Sequence, residues 1–406
     1  MPAGSFVYTA APRYDRALEA NRFPKGAAVI LVSPAGRQRI AAAFYASADA
    51  TVSFDGARIL FAGKTSAAGP WQIWEVPAAG GGPRQISACQ TDCTHPLYIP
   101  DGRIAYTQST ADGSDIEIVD AKGGPAQRLT FAPGRHVTQD VLRDGRILFE
   151  SSGELYTVYP DGTGVESLRC DHGPRRADAR QIESGDVIFS AGPRLARFTP
   201  ALAVQTEVAQ PDGEMSGPPA EIAPGRWLVS LRKSKGPFGL FIWTRDGGRL
   251  EPVETPAGTD AIQPALLRRR AAPKQFPSGL VETRTNGNLL CLDARTTKDR
   301  PIAEPVTAVQ VYTRDAAGAA VLLGRQNLAG DSSFYVQVPA DRPLRIELLN
   351  AAGAAVRAEK GWFWMRPSEQ RICVGCHAGP ERSPENKVPE VLLRSIVPEK
   401  LLGATK

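Results

Sequence analysis

The stretch YIPDGRIAYT, residues 98–107, decides the fold. Two short apolar segments flank an Asp-Gly turn, which is the pattern of a tight β-hairpin. The arrangement recurs in VSFDGARILFAG (52–63), VLRDGRILFE (141–150), QIESGDVIFS (181–190) and EIAPGRWLVS (221–230). The turn glycines Gly56, Gly102, Gly145, Gly185 and Gly225 are spaced by 46, 43, 40 and 40 residues. A repeat of about 40–45 residues with four strands per unit is the period of a β-propeller blade. Each hairpin is followed by a second, whose first strand reads WQIWEV (71–76), DIEIVD (115–120), ELYTVYP (154–160), RLARFTP (194–200) or GLFIWTR (239–245). Two incomplete pieces remain. AAVILV (27–32) with RQRIA (37–41) has no complete hairpin ahead of it, and AIQPALLRRR (261–270) has no second hairpin behind it. Joined, they complete a last blade from both chain ends, so that the ring has no open edge. The spacing therefore predicts an all-β protein with a six-bladed propeller over residues 1–271. A β-helix or a sandwich is the alternative for such a repeat.

Length and composition agree. The 406 residues suit two or three domains, and 39 Gly with 34 Pro suit many short strands and turns. AAPKQFPSG (271–279) reads as a Pro-bearing linker, placed at residues 272–277. Residues 278–406 then form a small β-rich, sandwich-like domain, with LLCLD, VTAVQVYTRD, SSFYVQVPA and PLRIELLN as strands. A net charge of +5 is mild, and no basic-aromatic stripe marks a nucleic-acid surface. No apolar run approaches the roughly 18 residues of a membrane span. The first residues, MPAGSFVYTA, lack the basic and apolar regions of a signal peptide.

The chemistry is concentrated in RICVGCHAGPE (371–381), where Cys373, Cys376 and His377 have the spacing Cys-x-x-Cys-His. Two thiols so placed reach the two vinyl groups of one porphyrin, and the adjoining imidazole sits beneath the iron. Half of a zinc site is the competing reading of Cys-x-x-Cys, but no second such pair occurs. Covalent haem attachment implies an oxidising, exported compartment such as the periplasm, so a leader is expected to have been removed. Trp362, Phe363, Trp364 and Met365 precede the motif, and Trp364 and Met365 are expected to pack the porphyrin.

Blades such as GGGPRQISACQTDCTHPLYIPDGRIAYT (80–107) and AQRLTFAPGRHVTQDVLRDGRILFES (126–151) resemble TolB-type propeller repeats. The run from DSSFYVQVPADRPLRIELLNAAG through GWFWMRPSEQRICVGCH to SPENKVP is similar to the haem-bearing middle domain of the hydrazine synthase alpha subunit. That resemblance implies one covalent haem c on Cys373 and Cys376. It departs from the family's best-known members, which carry a second haem in a further C-terminal domain, because no second Cys-x-x-Cys-His occurs here. It also implies that the motif histidine can serve zinc while another residue holds the iron.

No His, Met, Tyr or Cys follows His377, so a second axial ligand comes from upstream, from another subunit, or not at all. His95, His136 and His172 all fall in connections entering a blade's innermost strand. They are expected to gather at one mouth of the channel, with the haem pressed against it. His136 is the first choice for distal ligand or gate, and His95 the second. Cys89 and Cys93 form a disulfide on one reading. On the other, Cys93, His95, Cys170 and His172 form a zinc site from two Cys-x-His pairs. Cys291 reads as a buried thiol. These residues predict an exported, monohaem c-type cytochrome, a redox enzyme or subunit acting on a small nitrogen or oxygen species. The alternatives are a single-electron carrier with a redox partner protein, and a haem-based binding protein whose propeller docks a partner.

Overall fold

In the computed structural model the chain is described over residues 4–15, 23–168, 175–200, 205–297, 302–375 and 387–403. It divides into two compact units. The first spans Met1–Leu129, Gly134–Leu155 and Asp171–Phe276, and the second Thr130–Pro133, Tyr156–Cys170 and Pro277–Lys406.

Six antiparallel sheets form the propeller blades. Blade 1 runs Ala46–Val52, Arg58–Lys64, Gln72–Pro77, Arg84–Gln85 from the inside out. Blade 2 is Cys93–Tyr98, Arg103–Thr110, Gly113–Asp120 and Gln127–Arg128. Blade 3 is His136–Val141, Ile147–Ser151, Glu154–Val158 and Glu166–Ser167. Blade 4 is Arg176–Gln181, Val187–Ala191, Arg194–Phe198 and Thr206–Glu207. In blade 5 Glu214–Met215 and Ala220–Ala223 share the inner edge of Arg226–Arg232, with Gly239–Thr244 and Arg249–Val253 outside. The second strand of each blade is mostly buried, whereas the outer strands Arg84–Gln85 and Gln127–Arg128 are two exposed residues long. Short edges of that kind offer little backbone to a foreign strand.

Blade 6 is built from both ends of the chain. Asp260–Leu266 pairs with Phe6–Ala11, which pairs with Ala28–Ser33 and then Gly36–Arg39. Closure from the two chain ends is as the repeat arithmetic requires. The strand doing the closing, Phe6–Ala11, is an addition to the sequence reading. All six of its residues are buried, so FVYTAA shows no alternation to betray a strand. The five turn glycines all take left-handed φ, from 72° at Gly225 to 92° at Gly185. An L-residue pays steric strain there, which is why glycine marks the period.

The second unit stacks two four-stranded sheets. One has the order Gln370–Cys373, Asn286–Cys291, Phe334–Pro339, Glu399–Lys400. The other runs Ala320–Asn327, Ala308–Arg314, Arg345–Leu349, Ala355–Ala358. Leu289, Val336, Val338, Val309, Val311 and Leu348 interdigitate between them as one apolar core. No helix among the described residues is long and apolar enough to cross a membrane.

Candidate functional site

The propeller's inner strands share a distortion. In blades 1, 2 and 4 the ladder between the inner strand and its neighbour slips, so that two residues oppose one. The slip falls between Ala48 and Thr51, between Thr94 and Leu97, and between Ala177 and Arg180. Blade 3 slips at Gln139, and blade 6 at Gln263 on Asp260–Leu266. The bulged residues Asp49, His95, Asp178 and Gln263 have φ of 55°, 51°, 50° and 55°. A left-handed non-glycine residue costs about 1–3 kcal/mol, so four at equivalent positions need compensation.

Hydrogen bonds passed from blade to blade supply it. Gln263 Nε2 donates to Asp49 Oδ1 at 2.6 Å, and Gln263 Oε1 accepts the Asp49 amide at 3.1 Å. Asp49 Oδ2 accepts the His95 amide at 3.3 Å. The His95 carbonyl accepts Thr138 Oγ1 at 2.5 Å, and Gln139 Oε1 accepts the Ala179 amide at 2.8 Å. The bulges of blades 6, 1, 2 and 3 thus each hand a side chain or carbonyl to the next blade, and together they form a polar collar. Above the collar lies a cavity of about 1040 Å³.

His95 lines this cavity. Its Nδ1 lies 2.9 Å from Thr94 Oγ1 and 3.8 Å from Asp49 Oδ2. His136 does not. Arg135 and Val137 line the cavity, while strand alternation turns His136 away. Its ring is 2% exposed and packs edge-on against Phe149 at 5.8 Å. That burial sets His136 apart from the cavity that His95 lines. His172 and Cys170 lie outside the described residues. Cys93 is bonded to Cys89 in a disulfide, so its sulfur is not available to the four-ligand zinc site. Among the described residues no cluster of His, Cys, Asp and Glu is arranged to hold a metal ion.

The second place of interest is the strand Gln370–Cys373. It runs parallel to Asn286–Cys291, and the register sets Cys373 beside Cys291. Neither sulfur is in a disulfide; Cys291 is buried and Cys373 half-buried. Burial pushes the Cys373 thiol pKa up, against the opposing pull of Arg371. The chain then folds tightly over the Asp293–Thr296 turn, with the Asp293 amide bonded to the Val374 carbonyl at 3.3 Å. A Cβ on Gly375 would stand 2.3 Å from the Thr296 carbonyl oxygen, so only glycine fits. A free thiol at a strand end, followed by a pinned glycine, fits thioether attachment of a porphyrin. Cys376 and His377 themselves lie outside the described residues.

Trp364 and Met365 are anchored within the second unit. The Trp364 indole N–H donates to the Gly162 carbonyl at 2.9 Å, and its ring meets Phe131 edge-on at 6.3 Å. Met365 is fully buried in the core between the sheets, close against Gly287. Core packing accounts for Met365 without a porphyrin. Sequence reasoning missed the bulge collar and the Cys291–Cys373 register. Neither has a local signature, because both arise from pairing between distant segments.

Residues 291–378 match the hydrazine synthase alpha subunit middle domain. The solved structure of Kuenenia stuttgartiensis hydrazine synthase superposes with a TM-score of 0.84 at 17% identity, over 96% of this chain and 71% of that one. The chain thus carries a segment like that middle domain and shares the fold of hydrazine synthase. At this identity the likeness over the whole length is one of fold. Weaker matches are TolB from Acinetobacter baumannii, at TM-score 0.49, 17% identity and 67% of both chains, and a nidogen/laminin complex. The latter has TM-score 0.49 and 13% identity, over 66% of this chain and 100% of that one. No curated protein matches the chain.

Proposed function

We propose that this hydrazine synthase alpha-like chain is an exported monohaem c-type redox protein. It acts as an enzyme or enzyme subunit on a small nitrogen or oxygen species. One observation carries the reading: the segment matching the middle domain ends in Cys-x-x-Cys-His, and its first thiol is free at the end of an ordered strand. Cys373 and Cys376 would hold the haem, and His377 would ligate its iron. When bound, the haem supplies a redox-active iron of the kind that binds small diatomic and nitrogenous molecules. This chain's own residues supply the setting. Burial pushes the Cys373 thiol pKa up, and Gly375 fixes the direction in which the chain leaves the strand. The Cys89–Cys93 disulfide supports an oxidising compartment. The family's description as a subunit supports a partner protein.

The test is the absorption spectrum of the matured, reduced protein with and without carbon monoxide. A shift of the haem band on adding carbon monoxide is the expected result, because catalysis needs an open or labile iron site. A spectrum that ignores carbon monoxide would replace this reading with a single-electron carrier. Metal analysis of the same sample shows whether His377 serves zinc instead; one iron and no zinc is expected.

A further inference from the structure

The propeller cavity has features that the haem does not use. Its described lining is acidic, with carboxylates outnumbering guanidinium groups five to two. Their placement follows from the blade order. Asp49 belongs to blade 1 and Asp178 to blade 4, which face each other across a six-bladed ring. Asp92, at the entry to blade 2, likewise faces Glu214 of blade 5. Glu214 is paired with Arg232 and Glu150 with Arg135, so the negative charge on opposite walls is that of Asp49 and Asp92 against Asp178.

The lining also carries an aromatic cluster. Tyr14 and Phe23 stack at 5.7 Å, Phe23 meets Trp71 edge-on at 6.2 Å, and all three line the cavity. Trp71 and Asp92 are held together, since the Trp71 amide donates to Asp92 Oδ1 at 2.9 Å. Both residues line the cavity, and a carboxylate and an aromatic residue on one wall favour an alkylammonium group. On the far wall Ser190 also lines the cavity. It is 3% exposed, and its hydroxyl makes no hydrogen bond to any described residue. A buried hydroxyl left unsatisfied costs about 1–3 kcal/mol, so it marks a place where a ligand's polar group belongs.

We propose that the propeller cavity binds an aliphatic polyamine. One ammonium group lies between Asp92 and Trp71, and another donates to Asp178 and Ser190 on the opposite wall. The methylene chain crosses the cavity from the aromatic cluster to the far wall. The class follows from the spacing of the acids: a single ammonium ion would engage one wall, whereas a chain with two or more engages both. Binding there is independent of the haem.

Isothermal titration of the full chain at low salt tests it, with spermidine and putrescine as probes and 1,4-butanediol as the uncharged control. Saturable one-to-one binding of spermidine, tighter than putrescine, with no heat from butanediol, is expected. Asp92→Asn and Asp178→Asn should each weaken spermidine binding about tenfold, the worth of one charge-assisted hydrogen bond. Ser190→Ala should weaken it less. Glu254→Gln, on the outer surface where Glu254 pairs with Arg37, should change nothing. Melting temperature and circular dichroism identify any variant that has merely lost its fold. Binding that survives both Asp variants in folded protein would overturn the proposal. So would binding that falls equally in Glu254→Gln, which would indicate general attraction to an acidic surface.

Discussion

At the scale of single residues, burial decides what each side chain can do. His136 has a histidine's chemistry but a core residue's surroundings, packed on Phe149 and 2% exposed. His136→Ala should therefore cost about 2–4 kcal/mol of stability by chemical denaturation, as a large buried ring does. The haem spectrum should stay unchanged; a shifted spectrum would restore it as a ligand. Glu117 shows the same rule acting on charge. Burial, then the neighbouring Asp115, push its carboxyl up to about 7, with Arg128 opposing. A carboxyl raised in the folded state favours folding while it is protonated. That contribution is complete below the unfolded pKa near 4.5 and is lost as pH rises through about 7. Glu117→Gln should match the parent at pH 4 and exceed it at pH 8 by about 1 kcal/mol, after allowance for partial exposure. Equal stabilities at pH 8 would contradict this. The sequence showed which residues could carry chemistry. Which way each one faced was hidden, because a one-residue bulge reverses the alternation and leaves no trace in composition.

At the scale of elements, the hairpins were legible and the distortions were not. Gly56, Gly102, Gly145, Gly185 and Gly225 stand out because a left-handed turn admits little else. The bulges at Asp49, His95, Asp178 and Gln263 use residues that also occur in ordinary strands, and their cause lies in hydrogen bonds from the next blade. Phe6–Ala11 was passed over for a related reason: a strand buried on both faces looks like any apolar run. Its load can be measured. Tyr8 is fully buried, and Tyr8→Ala should cost about 3–5 kcal/mol, because the ring closes through that strand. Leu393→Ala, at a residue 72% exposed, should stay within about 0.5 kcal/mol of the parent. Comparable losses from the two would contradict the closure. Gly375 is the corresponding test in the second unit. A methyl group there meets the Thr296 carbonyl, so Gly375→Ala should lower the yield of haem-loaded protein while leaving the propeller's circular dichroism intact. An unchanged yield would show that the turn over Asp293–Thr296 does not position the attachment site.

At the scale of the whole molecule, two kinds of order coexist. The propeller is a closed ring whose period is written along the chain, and its cavity gathers polar groups from blades 1 to 5. The second unit is a sandwich whose defining pairing, Cys291 beside Cys373, joins strands that are distant in sequence. A repeat announces itself to a reader of sequence, whereas a single long-range register does not. The attachment motif is the exception, because its chemistry is local. The proposed function rests on a covalent bond between chain and porphyrin. The most direct measurement is the intact mass of the denatured protein after expression in a host with a working cytochrome c assembly system. The parent chain should carry the mass of one haem, and Cys373→Ala with Cys376→Ala should carry none. A parent mass equal to the bare polypeptide, from cells that mature a control cytochrome c, would contradict covalent attachment and the redox function built on it.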